Sequence, residues 1–166
     1  MKVYGSRISY YTGKLECYLR YKGIAYESLP TPYDKAEMLK EKGGAVQMPI
    51  VDNDGAWMSD TTPILEHLET AHTQNPIIPD DPVVAFIAFL IEDYGDEWLW
   101  RPAMYYRWWY LEDRHLASSV LTDELTGHMK APRWMRRRMI VRRQVTHYVD
   151  RDGVTDATRP HVEQSY

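Results

Sequence analysis

The first quarter of the chain follows a strand pattern, then a helical pattern, then a second strand pattern. Residues 2–4 form a short apolar strand signal. Apolar positions at helical spacing then run from a predicted cap at Thr12 to a stop at Gly23. Residues 24–29 give the second strand signal. This order predicts a βαβ unit with two parallel strands.

A charged stretch, a hairpin and a helix follow. Residues 34–42 predict a short helix that two glycines end. Met48 to Val51 and residues 56–58 predict two strands, joined by the turn sequence Asn53-Asp54-Gly55. A helix from Ile64 to about Ala71 comes next. The whole segment therefore predicts the element order βαβ-α-ββα.

Pro49 stands inside an apolar strand signal, where proline is uncommon. Proline has no N–H to donate to a neighbouring strand, so it is normally confined to edges and bulges. The backbone beside Pro49 is then free to pair with a peptide-like ligand. Polar residues 59–62 precede the next predicted helix, and the positive end of a helix favours a carboxylate.

From residue 83 the pattern becomes helical and rich in aromatic residues. Residues 83–116 predict a long helix that Pro102 kinks or interrupts. Residues 118–148 predict a second helical stretch, interrupted near Ala131-Pro132. Residues 159–166 predict the start of a further helix, which Thr158 caps.

These patterns divide the chain into an α/β domain at residues 1–74, a linker at residues 75–82 and an all-α domain at residues 83–166. Of the 166 residues, 44% are hydrophobic and 27% charged, which is typical of a globular protein. The net charge of −4 gives no overall reason to expect nucleic acid or an anionic membrane as a partner. A single cysteine, with no leader or membrane-spanning run, predicts a cytoplasmic protein.

Four short segments carry a resemblance to a known family. They read Ser9-Tyr10-Tyr11-Thr12-Gly13-Lys14-Leu15, Tyr21-Lys22-Gly23-Ile24-Ala25-Tyr26-Glu27, Gln47-Met48-Pro49-Ile50 and Asp60-Thr61-Thr62-Pro63-Ile64. In this order and register the chain resembles the cytosolic glutathione transferase superfamily. The resemblance implies a thioredoxin-like N-terminal domain followed by an all-α C-terminal domain, with glutathione as the co-substrate.

The resemblance also implies which residues bind glutathione. Met48 would pair its backbone with the cysteinyl part of glutathione, beside a cis Pro49. Asp60 would contact the γ-glutamyl ammonium, and Thr61 with the helix N-terminus would contact its carboxylate. Gln47 would reach the backbone or the glycyl end. Asp60 and Thr61 stand where Glu and Ser are usual in the family. The carboxylate and the hydroxyl are kept, but the aspartate side chain is shorter and the threonine side chain is more crowded.

For catalysis, the resemblance implies that Ser9 contacts the glutathione sulfur, with Tyr10, Tyr11 and Thr12 as alternates that also supply a hydroxyl. A thiol of pKa roughly 8.5 is mostly protonated at neutral pH, and the thiolate is the nucleophile. A hydroxyl that donates to the sulfur, near the positive end of a helix, would stabilise the thiolate. We expect transfer of this thiolate to a small hydrophobic electrophile. The alternative is a binding or interaction module of the same fold without turnover.

Three other features have simpler explanations than a functional one. Cys17 lies inside a predicted helix, where cysteine is usually a small buried apolar residue. Glu112-x-x-His115 is only half of the paired arrangement of a di-metal bundle, so we expect no metal. The arginine run from Arg133 to Arg143 is an alternative nucleic-acid site, but solvation or pairing with the acidic residues 92–97 is favoured.

The helical domain is expected to be incomplete, because members of this superfamily continue through a further core helix. An incomplete helical domain would expose apolar surface, and exposed apolar surface favours a partner chain. We therefore expect a homodimer.

Overall fold

The structure of this chain is a computed structural model that describes residues 1–31 and 47–166. The helix predicted at residues 34–42 lies outside the described residues. By its internal contacts the chain separates into two units. The first unit comprises Met1–Ile77 with Asp123–His128, and the second comprises Ile78–Thr122 with Met129–Tyr166.

Within the described residues, the first unit is built on a four-stranded sheet of mixed direction. Its strands are β1 (Lys2–Gly5), β2 (Glu27–Pro30), β3 (Ile50–Asn53) and β4 (Ala56–Ser59). They lie in the order β2-β1-β3-β4. Strand β1 is parallel to β2 and antiparallel to β3, and β3 is antiparallel to β4. The predicted parallel pair and the predicted hairpin are therefore confirmed.

Two helices pack against this sheet, α1 (Tyr10–Lys22) and α2 (Thr61–Ala71). Their apolar positions recur at helical spacing and join two strand residues in one core cluster. The members of the cluster that are at most 1% exposed are Val3, Leu15, Leu19, Val51, Ile64 and Leu68. Burial of this cluster fixes the orientation of both helices, and therefore the position of their N-termini, relative to the sheet.

The start of α1 differs from the prediction. Ser9, and not Thr12, is the N-cap, because the Ser9 Oγ accepts a hydrogen bond from the Thr12 N–H at 3.2 Å. Thr12 lies inside the first turn and is 4% exposed. The helix ends as predicted at Gly23, which has the left-handed φ of 67° that glycine adopts without cost.

Three further boundaries differ. Strand β2 begins at Glu27 and not at residue 24, because the Ile24 N–H bonds back to the Leu19 carbonyl at 2.9 Å and belongs to the helix end. Strand β3 begins at Ile50, so Met48 and Pro49 precede it. Helix α2 begins at Thr61, so its proline lies in the first turn, where a missing N–H costs little.

The described residues of the second unit are helical. Its α-helices are α3 (Pro82–Asp93), α4 (Trp100–Trp109), α5 (Leu111–Thr126), α6 (Arg133–Val145) and α7 (Arg159–Ser165). The last four residues of α5 belong to the first unit by their contacts. Two π-helical turns, Tyr94–Leu99 and Thr146–Asp150, follow α3 and α6. An α/β part followed by an all-helical part confirms the predicted fold class.

The long helical pattern predicted over residues 83–116, kinked or interrupted at Pro102, is confirmed from Pro82 to Trp109 but not as one continuous α-helix. The π-helical turn Tyr94–Leu99 interrupts it, and Pro102 then falls in the first turn of α4. A second break occurs at Tyr110, whose ψ of 137° is extended. The predicted interruption near Ala131-Pro132 is confirmed, since α5 ends at Thr126 and α6 starts at Arg133.

Buried aromatic residues hold α7 onto α4. Tyr105 and Trp108 are at most 1% exposed, and the Tyr105 hydroxyl donates to the Glu163 Oε1 at 2.9 Å. Burial and this bond to a carboxylate raise the pKa of Tyr105.

Helix α7 begins after Thr158, but the Thr158 hydroxyl does not cap it, because that hydroxyl donates to the Gly153 carbonyl at 2.7 Å.

Helix α3 presents large apolar side chains to solvent. Those that are at least 40% exposed are Val83, Val84, Phe86, Ile87, Phe89, Leu90 and Ile91. None of the residues in this helix is buried. Across residues 1–31 and 47–166, no helix combines the length and the apolar character needed to cross a membrane.

Candidate functional site

Three segments of the first unit meet at one edge of its sheet. Tyr4 pairs with Ile50, and Ile50 pairs with Ser59. The end of β1, the start of β3 and the end of β4 therefore lie side by side. Residues 6–9, residues 47–49 and Asp60 continue from this edge, which we call the β-edge.

Ser9 is at the β-edge and opens α1. Its Oγ accepts from the Thr12 N–H, and its carbonyl accepts from the Gly13 N–H at 3.0 Å. The hydroxyl proton takes no part in either bond, so Ser9 can donate to a ligand. The first turn of α1 contains no acidic residue, so the positive end of the helix dipole is not neutralised there.

A remote carboxylate orders the segment that leads to Ser9. The Ser6 hydroxyl donates to the Glu124 Oε2 at 2.6 Å, and the Arg7 Nε donates to the Glu124 Oε1 at 2.9 Å. The Ser9 N–H in turn donates to the Ser6 carbonyl at 3.0 Å. Ser6 and Glu124 are not recognisable from the sequence as partners, because no local pattern connects residues 118 positions apart.

The alternates to Ser9 lie in different surroundings. Thr12 is buried, and its Oγ1 has no hydrogen-bond partner among the described residues. A Cβ on Gly5 would come within 2.4 Å of that Oγ1, so Thr12 packs against the end of β1. Tyr10 is 44% exposed and Tyr11 is half-buried. Among the four residues, Ser9 is the N-cap of α1 and is half-buried.

The segment before β3 contains the predicted proline. The Met48-Pro49 peptide bond is cis, as the resemblance implied. Pro49 is buried, Met48 is half-buried and Gln47 is exposed. The ladder between β1 and β3 begins at Ile50, so the Met48 backbone lies two residues beyond it, at the β-edge.

Asp60 lies at the end of β4 and caps α2. Its Oδ1 accepts from the Thr62 N–H at 3.3 Å. Its φ of 74° and ψ of 123° are rare for a residue other than glycine. Such strained residues are concentrated at functional sites. Thr61 is only 2% exposed, which leaves little of its surface to a ligand.

A lysine lies beside the start of α2. The Lys14 Nζ donates to the Thr62 Oγ1 at 3.5 Å, which brings a cation from α1 to the N-terminus of α2. Both the lysine and the helix N-terminus favour an anion at this place. Lys14 stands inside the motif that begins at Ser9, but the motif does not indicate that Lys14 lies beside the N-terminus of α2.

A buried network ties together the other ends of α1 and α2. The Glu69 Oε1 accepts from the Lys22 Nζ and from the Tyr18 hydroxyl, both at 2.7 Å, and its Oε2 accepts from the Ile77 N–H at 3.1 Å. Burial alone raises the pKa of Glu69, but these three hydrogen bonds outweigh it, so the pKa lies below its ordinary value. Burial and the bond to Glu69 raise the pKa of Tyr18.

Two other candidate features are a metal site and Cys17. In the part of the chain that the structure describes, no three His, Cys, Asp or Glu side chains are grouped so as to hold a metal ion. The prediction of a buried Cys17 is wrong, since Cys17 is exposed on α1. Helical spacing identifies the buried face of a helix only when its apolar positions are unambiguous. The buried residues of α1 near Cys17 are Leu15, Tyr18 and Leu19.

Comparison with known proteins identifies relatives of this chain. Residues 3–76 match the family model described as glutathione S-transferase, N-terminal domain. Glutathione S-transferase U7 of Arabidopsis thaliana is 28% identical over 106 residues, which cover 63% of this chain and 47% of that protein. The chain thus spans about half the length of this curated relative.

Solved structures share the fold. The beta-etherase LigF from Sphingobium sp. strain SYK-6 is 22% identical, with a TM-score of 0.56 over 90% of this chain and 70% of that one. A diazinon-metabolizing glutathione S-transferase of the silkworm Bombyx mori is 13% identical, with a TM-score of 0.57 over 98% of this chain and 93% of that one. At these identities the likeness shows the fold alone.

Proposed function

We propose that this chain, whose residues 3–76 match the glutathione S-transferase N-terminal domain family, is a member of that superfamily, binds glutathione at the β-edge and transfers the thiolate to a small hydrophobic electrophile. The observation that supports this most strongly is the strand register. Tyr4 pairs with Ile50 and Ile50 pairs with Ser59, which brings the segments of Ser9, Met48 and Asp60 to one edge.

Each part of glutathione would meet a group of matching chemistry. The cysteinyl part would pair antiparallel with the Met48 backbone, as an added strand pairs with an open sheet edge. The γ-glutamyl ammonium would meet the Asp60 carboxylate. The γ-glutamyl carboxylate would lie at the N-terminus of α2, with the Lys14 ammonium nearby. Gln47 is exposed and would reach the glycyl end.

Ser9 would activate the thiol. Its oxygen already accepts the Thr12 N–H, which polarises the hydroxyl for donation to the sulfur. Lowering the thiol pKa by about two units requires roughly 2.7 kcal/mol of preference for the thiolate. One hydrogen bond to a charged group supplies about 1.5–3 kcal/mol. The N-terminus of α1 adds about 0.3–1 kcal/mol, so the range for the two together includes the required value.

The transfer itself needs no further group at the sulfur. The thiolate attacks the electrophilic carbon, a C–S bond forms, and the leaving group departs with its electron pair. The proton released when the thiol ionises goes to solvent. The protein supplies the position of the sulfur and the stabilisation of its charge.

The test is glutathione-dependent conjugation of chlorodinitrobenzene by the wild-type protein, Ser9→Ala and Tyr11→Phe. We expect Ser9→Ala to lose at least about tenfold in rate, since one charged hydrogen bond is removed. Tyr11→Phe is expected to retain the wild-type rate. Glutathione affinity without turnover in the wild type would instead indicate the non-catalytic binding module. No glutathione affinity at all would contradict the proposal.

We also propose that the protein forms a homodimer. The exposed apolar residues of α3 form a patch of the kind that marks protein interfaces. A second copy would cover it if the interface is symmetric. Sedimentation equilibrium tests this, and a monomer at all concentrations would contradict it.

A further inference from the structure

We propose that Glu124 is a positioning residue for the proposed reaction, and that it sets the place of the Ser9 hydroxyl through Ser6. Glu124 lies in the last turn of α5, and by its contacts it belongs to the first unit, as Ser6 and Ser9 do. This inference rests on the proposed transfer of the glutathione thiolate. It adds a residue that acts on the reaction without contacting the sulfur.

Each oxygen of the Glu124 carboxylate accepts one hydrogen bond from the segment between β1 and α1. The Ser6 hydroxyl donates to Oε2 at 2.6 Å, and the Arg7 Nε donates to Oε1 at 2.9 Å. The side chain of Glu124 is 13% exposed and Ser6 is 4% exposed, whereas the side chain of Arg7 is 77% exposed. The shielded bond from Ser6 therefore contributes more than the solvent-exposed pair with Arg7.

The bond to Glu124 fixes the direction in which the Ser6 hydroxyl donates. A hydroxyl has one proton, and here it points at the carboxylate, so the Ser6 Oγ remains an acceptor for the Ile8 N–H at 3.4 Å. The Ser6 carbonyl accepts from the Ser9 N–H at 3.0 Å. These two bonds close the turn that runs from Ser6 to Ser9. A carboxylate can only accept, and it therefore enforces this arrangement.

The turn places Ser9 at the start of α1. The Ser9 Oγ accepts from the Thr12 N–H at 3.2 Å, which leaves its own proton for a ligand. Ile8 and Ser9 are only half-buried, so apolar packing alone does not hold the turn. A displacement of about 1 Å at a reacting centre can cost about a hundredfold in rate. The hydrogen bonds that start at Glu124 therefore bear directly on the reaction.

Loss of Glu124 should affect the sulfur and not the binding of the rest of glutathione. The groups proposed for the γ-glutamyl and cysteinyl parts, Asp60 and Met48, stand on other segments of the chain. An interaction that acts only on thiolate formation changes kcat, whereas an interaction made equally by substrate and transition state changes KM. We therefore expect a loss in kcat with the KM for glutathione unchanged.

The test uses two variants that break the same hydrogen bond from opposite sides, Glu124→Gln and Ser6→Ala. The matched control is Glu112→Gln, since Glu112 is an exposed glutamate in the first turn of the same helix. Each is also made in a Ser9→Ala background. Conjugation of chlorodinitrobenzene gives kcat and KM, and ultraviolet absorbance against pH gives the pKa of the bound thiol. Circular dichroism checks that each variant is folded.

We expect Glu124→Gln and Ser6→Ala each to lower kcat about tenfold, and by no more than Ser9→Ala does. The pKa of the bound thiol should rise by about one unit, which corresponds to a tenfold change. Glu112→Gln should keep the wild-type values. In the Ser9→Ala background Glu124→Gln should cost nothing further, because the hydroxyl that it positions is gone.

A second measurement needs no glutathione. Amide hydrogen exchange followed by NMR reports how often the turn opens. In Glu124→Gln the Ile8 and Ser9 amides should exchange at least about tenfold faster than in the wild type, while the amide of Val3 in the core keeps its rate. Unchanged exchange at Ile8 and Ser9 would overturn the proposal.

Three kinetic results would also overturn it. If the wild type conjugates glutathione and Glu124→Gln keeps its kcat and thiol pKa, Glu124 is removed from the reaction and the proposed function stands. If Glu124→Gln lowers kcat by the same factor with and without the Ser9 hydroxyl, its role is general stability. If the wild type neither binds glutathione nor ionises its thiol, the proposed function and this inference fail together.

Discussion

Ser9 has two functions at the start of α1, and substitution can separate them. As the N-cap it accepts the Thr12 N–H, which stabilises the helix. As the group proposed to contact the sulfur, it donates a hydrogen bond from its own hydroxyl. Replacing an N-cap serine by alanine costs about 1 kcal/mol, whereas glycine costs only a few tenths.

We therefore expect Ser9→Ala and Ser9→Gly to lose conjugation equally, while only Ser9→Ala loses about 1 kcal/mol of unfolding free energy. Urea unfolding and initial rates measure the two quantities. A Ser9→Gly protein with the wild-type rate would show that the hydroxyl is not the sulfur ligand.

Asp60 combines a strained backbone with a carboxylate. Its φ of 74° suits glycine better than aspartate, so Asp60→Gly should be at least as stable as the wild type. Asp60→Asn keeps the side-chain shape and the cap oxygen. Both variants should bind glutathione at least about tenfold more weakly, because the ammonium loses its charged partner. Calorimetric titration measures this, and unchanged affinity in either variant would remove Asp60 from the site.

At the residue scale, the sequence predicted the groups that stand in short motifs and missed those that come from elsewhere. Pro49 and Asp60 are recognisable because their neighbours identify them. Glu124 orders the segment that leads to Ser9 through its contact with Ser6, which is 118 positions away. No local sequence pattern near Ser6 or Glu124 predicts this contact. Thr61 was expected to meet a ligand, and its exposed fraction of 2% depends on packing that no motif specifies.

At the element scale, the approach of α1 to β1 sets the position of Ser9. A Cβ on Gly5 would lie 2.4 Å from the Thr12 Oγ1 and 2.6 Å from its methyl carbon. Gly5→Ala is therefore expected to displace the first turn of α1, at a cost of about 1–3 kcal/mol, and to lower the conjugation rate. The double variant Gly5→Ala/Thr12→Ala should recover most of both losses, since the clashing atoms are gone. Additive effects in this double-mutant cycle would contradict direct packing.

The Lys22–Glu69–Tyr18 network joins the ends of α1 and α2, and it makes stability depend on pH. The folded-state pKa of Glu69 lies below its unfolded value of about 4.3, so the network stabilises the fold above that pH and is lost as the pH falls through the folded pKa. Glu69→Gln leaves the buried Lys22 without an anion and should cost about 3 kcal/mol at neutral pH.

In acid the difference between Glu69→Gln and the wild type should shrink, because the wild-type carboxyl is then neutral too. Tyr18→Phe is the matched control, since it removes one hydrogen bond and no charge. Unfolding free energies measured from neutral to acid pH check this. A difference that does not change with pH would show that charge is not involved.

Element boundaries were harder to predict than element types, for physical reasons. Ser9 and Thr12 are both good caps, and the choice between them depends on how Thr12 packs against Gly5. Residues 83–116 are apolar or aromatic at so many positions that the periodicity could not locate the breaks at Tyr94–Leu99 and Tyr110. The hairpin at residues 53–55 was predictable because its turn is local.

At the scale of the whole molecule, the two units carry separate chemistry. The β-edge of the first unit has the strand register and helix N-termini that suit a γ-glutamyl tripeptide. The second unit contributes the exposed apolar residues of α3. Because each feature uses its own residues, each can be tested without disturbing the other.

The central claim is that the protein binds glutathione at the β-edge and ionises its thiol. The most direct measurement is the ultraviolet absorbance of the bound thiolate as a function of pH, in the wild type and in Ser9→Ala. We predict that the bound thiol of the wild type titrates about two pH units below the free value of roughly 8.5, and that Ser9→Ala loses most of this shift. A bound thiol that titrates at the free value in both proteins, or glutathione that does not bind, would contradict the account.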